Sequence, residues 1–178
     1  MKERLQKNIA TKMPGLAYKG ICLKKHDEAI KYLIKGIALW MKNLEEKFGP
    51  DVREVIKKTQ FELGLDMAKQ MKEEYKIDDD ITDAIDMMWM FIIPFGIKMK
   101  VSQINDGQIR EEKIICPIYD VFNSCGVDYC EEFCVSMTRG WLAAINPDLD
   151  CKMIRKANKG QYCVKDIIKI KDQGKNER

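Results

Sequence analysis

Any chemistry by this chain must come from Cys, Asp, Glu, Lys, Arg or Tyr, and of these cysteine carries the most information. Six of its seven cysteines, Cys116, Cys125, Cys130, Cys134, Cys151 and Cys163, fall from position 116 onward in a chain of 178 residues, and His26 is the only histidine. In a reducing compartment such crowding argues against a disulfide framework and for metal binding, thiolate chemistry or apolar packing. Cys116 precedes Pro117, a residue suited to the first position of a helix. A thiol there faces unpaired backbone N–H groups and the positive end of the helix dipole, which favours thiolate. That makes Cys116 a nucleophile or a metal ligand, whereas its residue type favours a small buried side chain. Cys130 and Cys134 stand four apart on a helix and share a face, so both can reach one metal. Phe133, Met137 and Trp141 accompany them, and such a stripe more often packs a core. Asp120, one helical turn after Cys116, is placed to move a proton. A lone histidine excludes multi-histidine metal sites, and His26 in a Lys-Lys-His-Asp stretch reads as solvated.

The elements that must position these residues follow from periodicity. Ile30, Leu33, Ile34, Ile37, Met41, Leu44 and Phe48 recur at helical steps after Asp27, and Gly49-Pro50 closes the run. A second helix is predicted from Asp51, with a capping box to Glu54, to about Tyr75. A third follows the acidic cluster Asp78 to Asp80 and stops at Pro94 and Gly96. Ile97, Met99 and Val101 then alternate with Lys98, Lys100 and Ser102, and Asn105-Asp106-Gly107 turns the chain into a second strand, Ile109 to Ile115. A short helix from Pro117 ends at Gly126, a longer one runs from Asp128 to about Ile145, and Cys151–Arg155 with Tyr162–Ile170 form a last hairpin. The expected fold is α+β: N-terminal helices packed with a small antiparallel sheet and two further helices. It forms one domain over 1–171, helical to about 95 and cysteine-rich from about 96, with a disordered tail over 172–178.

Composition bounds the function. With 46% hydrophobic and 33% charged residues the chain can bury a core. The 31 basic residues exceed the 28 acidic ones by so little, and are so interleaved with them, that nucleic acid is not an expected partner. The longest apolar run, Met87 to Ile97, is about half the roughly 20 residues that a membrane span needs. The charged first residues, Lys2 to Lys19, contain no signal-like apolar stretch, so a cytoplasmic location is expected. Apolar helix faces of this kind also suit a homodimer.

In order, Cys116-Pro117, Gly126, Cys130-x-x-x-Cys134, Asn146-Pro147 and Gly160-x-x-Cys163 resemble the L-2-amino-thiazoline-4-carboxylic acid hydrolase family. More remotely the chain is similar to the vinyl-reductase-type and Golgi-transport ligand-binding domains, which end in a comparable Gly-x-x-Cys strand and enclose an apolar pocket in an α+β fold. The first resemblance implies hydrolysis of a C–N bond in a cyclic amidine. Cys116 would attack the ring, Asp120 would supply a proton, Arg139 or Arg155 would hold the substrate carboxylate, and Gly160 would let the backbone approach it. A metal version places one zinc or iron ion on Cys116, Cys134 and Cys163, with Cys130 beside them. Met137 and Thr138 follow Cys134, and Val164 follows Cys163, where the family's pattern has acids. The alternative reading is a non-catalytic module in which cysteines line a pocket for a small molecule or a metal.

Overall fold

The stripe of apolar residues at helical spacing forms α1 (Gly20–Phe48), with Ile34, Ala38 and Met41 buried along one side. This helix is already formed at Gly20, so Asp27 lies inside it and does not start it. The straight-chain residues Lys24, Lys25 and Glu28 around Asp27 have good helix propensity, which carries the turn through it. The computed structural model describes residues 20–76, 78–158 and 160–170, with side chains from residue 26 onward. The expectations for the first residues and for the tail lie outside this range.

Helix α2 (Val52–Tyr75) begins where expected, but without the capping box. Asp51 has helical backbone angles (φ −62°, ψ −20°), and Glu54 is taken up by Lys57 at 2.6 Å. A side-chain cap needs an extended residue at that position. Asp80 meets that need, with φ −92° and ψ 158°, and accepts from the backbone N–H groups of Thr82 and Asp83 at the start of α3 (Ile81–Ile92). A single tight turn, Ile93–Phe95, and Gly96 at φ 68° end this helix.

Strands β1 (Lys98–Asn105) and β2 (Gln108–Ile115) pair antiparallel around a turn in which the Asn105 side chain accepts from Gly107 N–H at 2.9 Å. Helix α4 (Pro117–Ser124) follows directly, with Cys116 as its flanking residue. The next helix forms from Cys130 and not from Asp128. Its first part, Glu131–Val135, is a wide π-type turn in which Ser136 N–H donates to Glu131 O, five residues back. It continues as α5 (Ser136–Ile145). Strands β3 (Leu149–Arg155) and β4 (Val164–Lys169) complete one antiparallel sheet of order β1-β2-β4-β3. Five helices on a four-stranded sheet make an α+β fold, as expected.

One sheet face is buried under α5 and its neighbours and presents Met99, Ile109, Glu111, Lys113, Cys151, Lys165 and Ile167. Two apolar clusters result. One joins α2, α3, α5 and the sheet through Ala68, Ile85, Met87, Trp141 and Leu142. The other joins α1, α4 and the wide turn through Met41, Ile56, Phe122 and Tyr129. At its edge Arg53 donates to Glu45 at 2.7 Å and to Glu132 at 3.1 Å, and its guanidinium lies 4.7 Å from the Tyr129 ring. Among the described residues no helix is long and apolar enough to cross a membrane.

Candidate functional site

Between the two clusters lies a cavity of about 230 Å³. That exceeds the roughly 150 Å³ in which an engineered core cavity admits benzene, and falls short of the 300 Å³ or so at which drug-sized pockets begin. Helix α1 contributes Leu33, Ile34 and Ile37, and the α3 region contributes Met88, Phe91, Ile92 and Phe95. The wide turn and α5 bring Cys130, Phe133, Cys134, Met137, Thr138 and Trp141. Cys116 and Cys163, together with Lys113 and Lys165, close it from the sheet side. Leu33 and Leu63 line the cavity while remaining 58% and 44% exposed, so the space opens beside α1 and α2.

The four cysteines named from the sequence thus stand on one cavity, but their environment opposes thiolate. Burial pushes the Cys116 thiol up, and the backbone hydrogen bond at Tyr119 only partly offsets it. The helix N-terminus therefore does not prevail there, which corrects the expectation of a depressed pKa. Burial likewise raises Cys130, and it pushes Cys134 up to about 12 and nearby Cys151 to about 11. Such surroundings favour the neutral thiol over the thiolate.

The polar content of the site is elsewhere. Glu111, fully buried on β2, lies opposite Lys165 of β4 and two residues from Lys113 on the same strand face. Lys113 Nζ meets Glu111 Oε2 at 3.3 Å and Met99 Sδ at 2.8 Å. Lys165 Nζ lies 3.6 Å from the same carboxylate oxygen and donates to Thr138 Oγ1 at 3.1 Å. That hydroxyl in turn donates to Cys134 O at 2.8 Å. Burial works against the charge of Glu111, but Lys113 and Lys165 outweigh it and hold its carboxyl below the usual range. Burial also works against the Lys165 ammonium, and the Glu111 carboxylate outweighs it, raising the lysine. Both partners point to an ionised cluster. In addition, Trp141 buries an indole N–H without an acceptor, and Glu111 Oε1 is buried without a donor.

Asp120, Arg139, Arg155 and Gly160, named from the sequence as site residues, are not on the cavity. Asp120 is exposed, and its carboxylate accepts from Tyr162 Oη at 3.2 Å. Arg139 donates to Cys151 O at 3.0 Å and pairs with Asp150 at 3.2 Å. Arg155 reaches Tyr162 O and Glu112. Gly160 is exposed, at φ 84° with nothing within 4 Å of a built Cβ, so a turn alone accounts for it. The zinc or iron site expected at Cys116, Cys130, Cys134 and Cys163 does not fit either: among the described residues no three His, Cys, Asp or Glu side chains are grouped to hold a metal ion. Lys113, Glu111 and Lys165 escaped the sequence reading because Arg-Glu-Glu-Lys looks like a solvated strand. Their strand parity was the available signal, since Glu111 and Lys113 share the face of Ile109, and Lys165 that of Ile167.

No protein-family model matches the chain, and no curated protein matches its sequence. Among solved structures the chain is similar to a trafficking protein particle complex subunit 3 from Naegleria fowleri, a structure described as covalently bound to palmitic acid. The likeness has a TM-score of 0.55 at 12% identity, covering 80% of this chain and 97% of that one. At that identity it establishes a shared fold.

Proposed function

We propose that this chain is a non-catalytic binding module whose cavity takes one apolar small molecule. The observation that carries this reading is the cavity itself, large enough for a ligand and walled by aliphatic, aromatic and methionine side chains. Cys116, Cys130 and Cys134 serve there as small apolar surface, because burial favours their neutral form. The amidine-hydrolase reading lacks its parts: the proton donor Asp120 is at the surface, and Arg139 and Arg155 are engaged elsewhere. The shared fold with a subunit that carries palmitic acid supports a lipid-like ligand.

Assembly and location belong to the same proposal. Tyr32, Leu33, Leu39 and Trp40 are exposed along α1 and offer a surface for a second copy or another subunit. A single folded unit over 1–171 in the cytoplasm or at the Golgi surface is the setting in which such a module would work.

The test is displacement of the neutral fluorescent probe N-phenyl-1-naphthylamine from delipidated protein by straight-chain alcohols. Burying a methylene gains about 0.8 kcal/mol, so affinity should rise about fourfold per added carbon until the cavity is full. A probe that does not bind saturably, or alcohols whose length makes no difference, would overturn the reading.

A further inference from the structure

Two ammonium groups and one carboxylate are buried together on the sheet face. Glu111 is 0% exposed, Lys165 4% and Lys113 8%. Among the described residues Glu111 is the one carboxylate that meets either lysine. The thiols Cys116, Cys130, Cys134 and Cys151, held neutral by burial, add no negative charge. Within the trio Glu111, Lys113 and Lys165 the formal charges leave one positive in excess. Both lysines line the cavity, whose other walls are mainly apolar. An uncompensated charge away from water is strongly unfavourable and calls for a counter-ion. Each ammonium also has three donors, of which Lys113 uses two, on Glu111 and Met99, and Lys165 one, on Thr138. Trp141 of the same wall holds a further buried N–H without an acceptor.

We infer that the ligand of this cavity is an anionic amphiphile, an apolar body ending in a carboxylate, and that Lys113 and Lys165 recognise the head. The inference rests on the reading of the cavity as a ligand site and specifies that ligand's class. The carboxylate clamp that the sequence suggested at Arg139 or Arg155 thus moves to two sheet lysines. The direction of binding follows from the placement of the groups. The lysines lie at the sheet end and the half-exposed Leu33 and Leu63 at the open end, so the head goes in first and the apolar body fills the space toward α1 and α2. Thr138 fixes the Lys165 ammonium at 3.1 Å and so sets where the head is met.

The experiment compares decanoate, decanol and decylamine as displacers of N-phenyl-1-naphthylamine from the full chain, with 4-phenylbutyrate as an aromatic carboxylate. Decanoate should bind about tenfold more tightly than decanol, and decylamine more weakly than either. Tighter binding by decanoate than by phenylbutyrate assigns an aliphatic acid, and the reverse order an aromatic one. Lys165→Met should remove the preference for the acid, taking the decanoate-to-decanol affinity ratio from about ten to about one. This variant keeps a neutral Glu111–Lys113 pair; should it fail to fold, Lys113→Met offers the same comparison, and the wild-type ratio needs no variant. Decanoate and decanol binding equally would overturn the inference while leaving an apolar-ligand module intact. No saturable displacement by any of them would overturn the module itself.

Discussion

Gly64 of α2 and Gly140 of α5 each meet the backbone of the other helix. A Cβ on Gly64 would lie 2.9 Å from the carbonyl carbon of Met137, and one on Gly140 would lie 2.8 Å from that of Phe61. The two helices cross at backbone contact, and this crossing fixes Met137, Thr138 and Trp141 at the cavity wall. In an exposed helix interior Gly→Ala stabilises by about 1 kcal/mol. Here the sign reverses, because backbone cannot yield as a flexible side chain can. Gly64→Ala and Gly140→Ala should each cost about 3 kcal/mol and lower Tm by roughly 2–4 °C per kcal/mol. Thermal melts check this, and an unchanged or raised Tm in either variant would show that the helices do not cross so closely.

Removing Glu111 should be far worse than removing one of its lysines. Glu111→Gln leaves two buried ammoniums facing each other without a counter-charge, a loss of about 3–5 kcal/mol. Lys165→Met leaves a neutral pair and should cost less. Urea unfolding of both variants decides it, and equal losses would contradict the assignment of charges.

The same cluster gives the pH dependence a definite sign. The folded pKa of Glu111 is lowered, so its stabilisation is complete above the unfolded value of about 4.3 and is lost as pH falls through the folded one. The folded pKa of Lys165 is raised, so its contribution is complete below about 10.4 and is lost as pH rises through the folded value. Stability should be flat between those limits as far as this cluster is concerned, and Glu111→Gln should flatten the acid side. An acid limb of unchanged steepness in that variant would assign it to other carboxylates.

Thiol reactivity offers an independent check on the cavity. Cys116 and Cys130, buried, and half-buried Cys134, all held protonated, should alkylate at least about a hundredfold more slowly than in urea, with half-buried Cys125 reacting ahead of the buried pair. Mass mapping after a timed iodoacetamide pulse reads the order. Fast modification of Cys116 at neutral pH would revive the nucleophile.

Hydrolysis itself can be assayed. L-2-amino-thiazoline-4-carboxylate should not be turned over, with or without added zinc or iron, and Cys116→Ser should change probe affinity by no more than about twofold. Turnover that disappears in Cys116→Ser would restore the enzyme reading.

Local patterns made most of the fold legible. The alternation around Met99, the Asn105-Asp106-Gly107 turn, Pro117 after Cys116 and the stops at Gly96 and Gly126 each name their element through backbone preference alone. The capping box at Asp51 is not formed and the later helix does not begin at Asp128, because residue type does not reveal that Asp51 is itself helical or that the later helix starts at Cys130. Of the site, the cysteines were visible because they are rare. The charged cluster was hidden because a buried Glu between two Lys has the composition of a surface strand. Only the pairing of β2 with β4, which joins residues far apart in sequence, puts Glu111 against Lys165. The positions of Arg139 and Arg155 were likewise beyond local reasoning, since each is held by a partner on another strand or loop.

The wide turn at Glu131–Val135 adds one residue to the winding of its helix, and every later side chain is rotated by about 100° from where regular coiling would aim it. That rotational phase lets one short helix serve two neighbours at once: Gly140 comes round to the backbone of α2 while Thr138 comes round to the Lys165 ammonium. Deleting a single residue from the turn would restore ordinary coiling and take both out of alignment together. The close helix crossing and the seat of the buried charge are thus two outputs of one irregularity in the backbone.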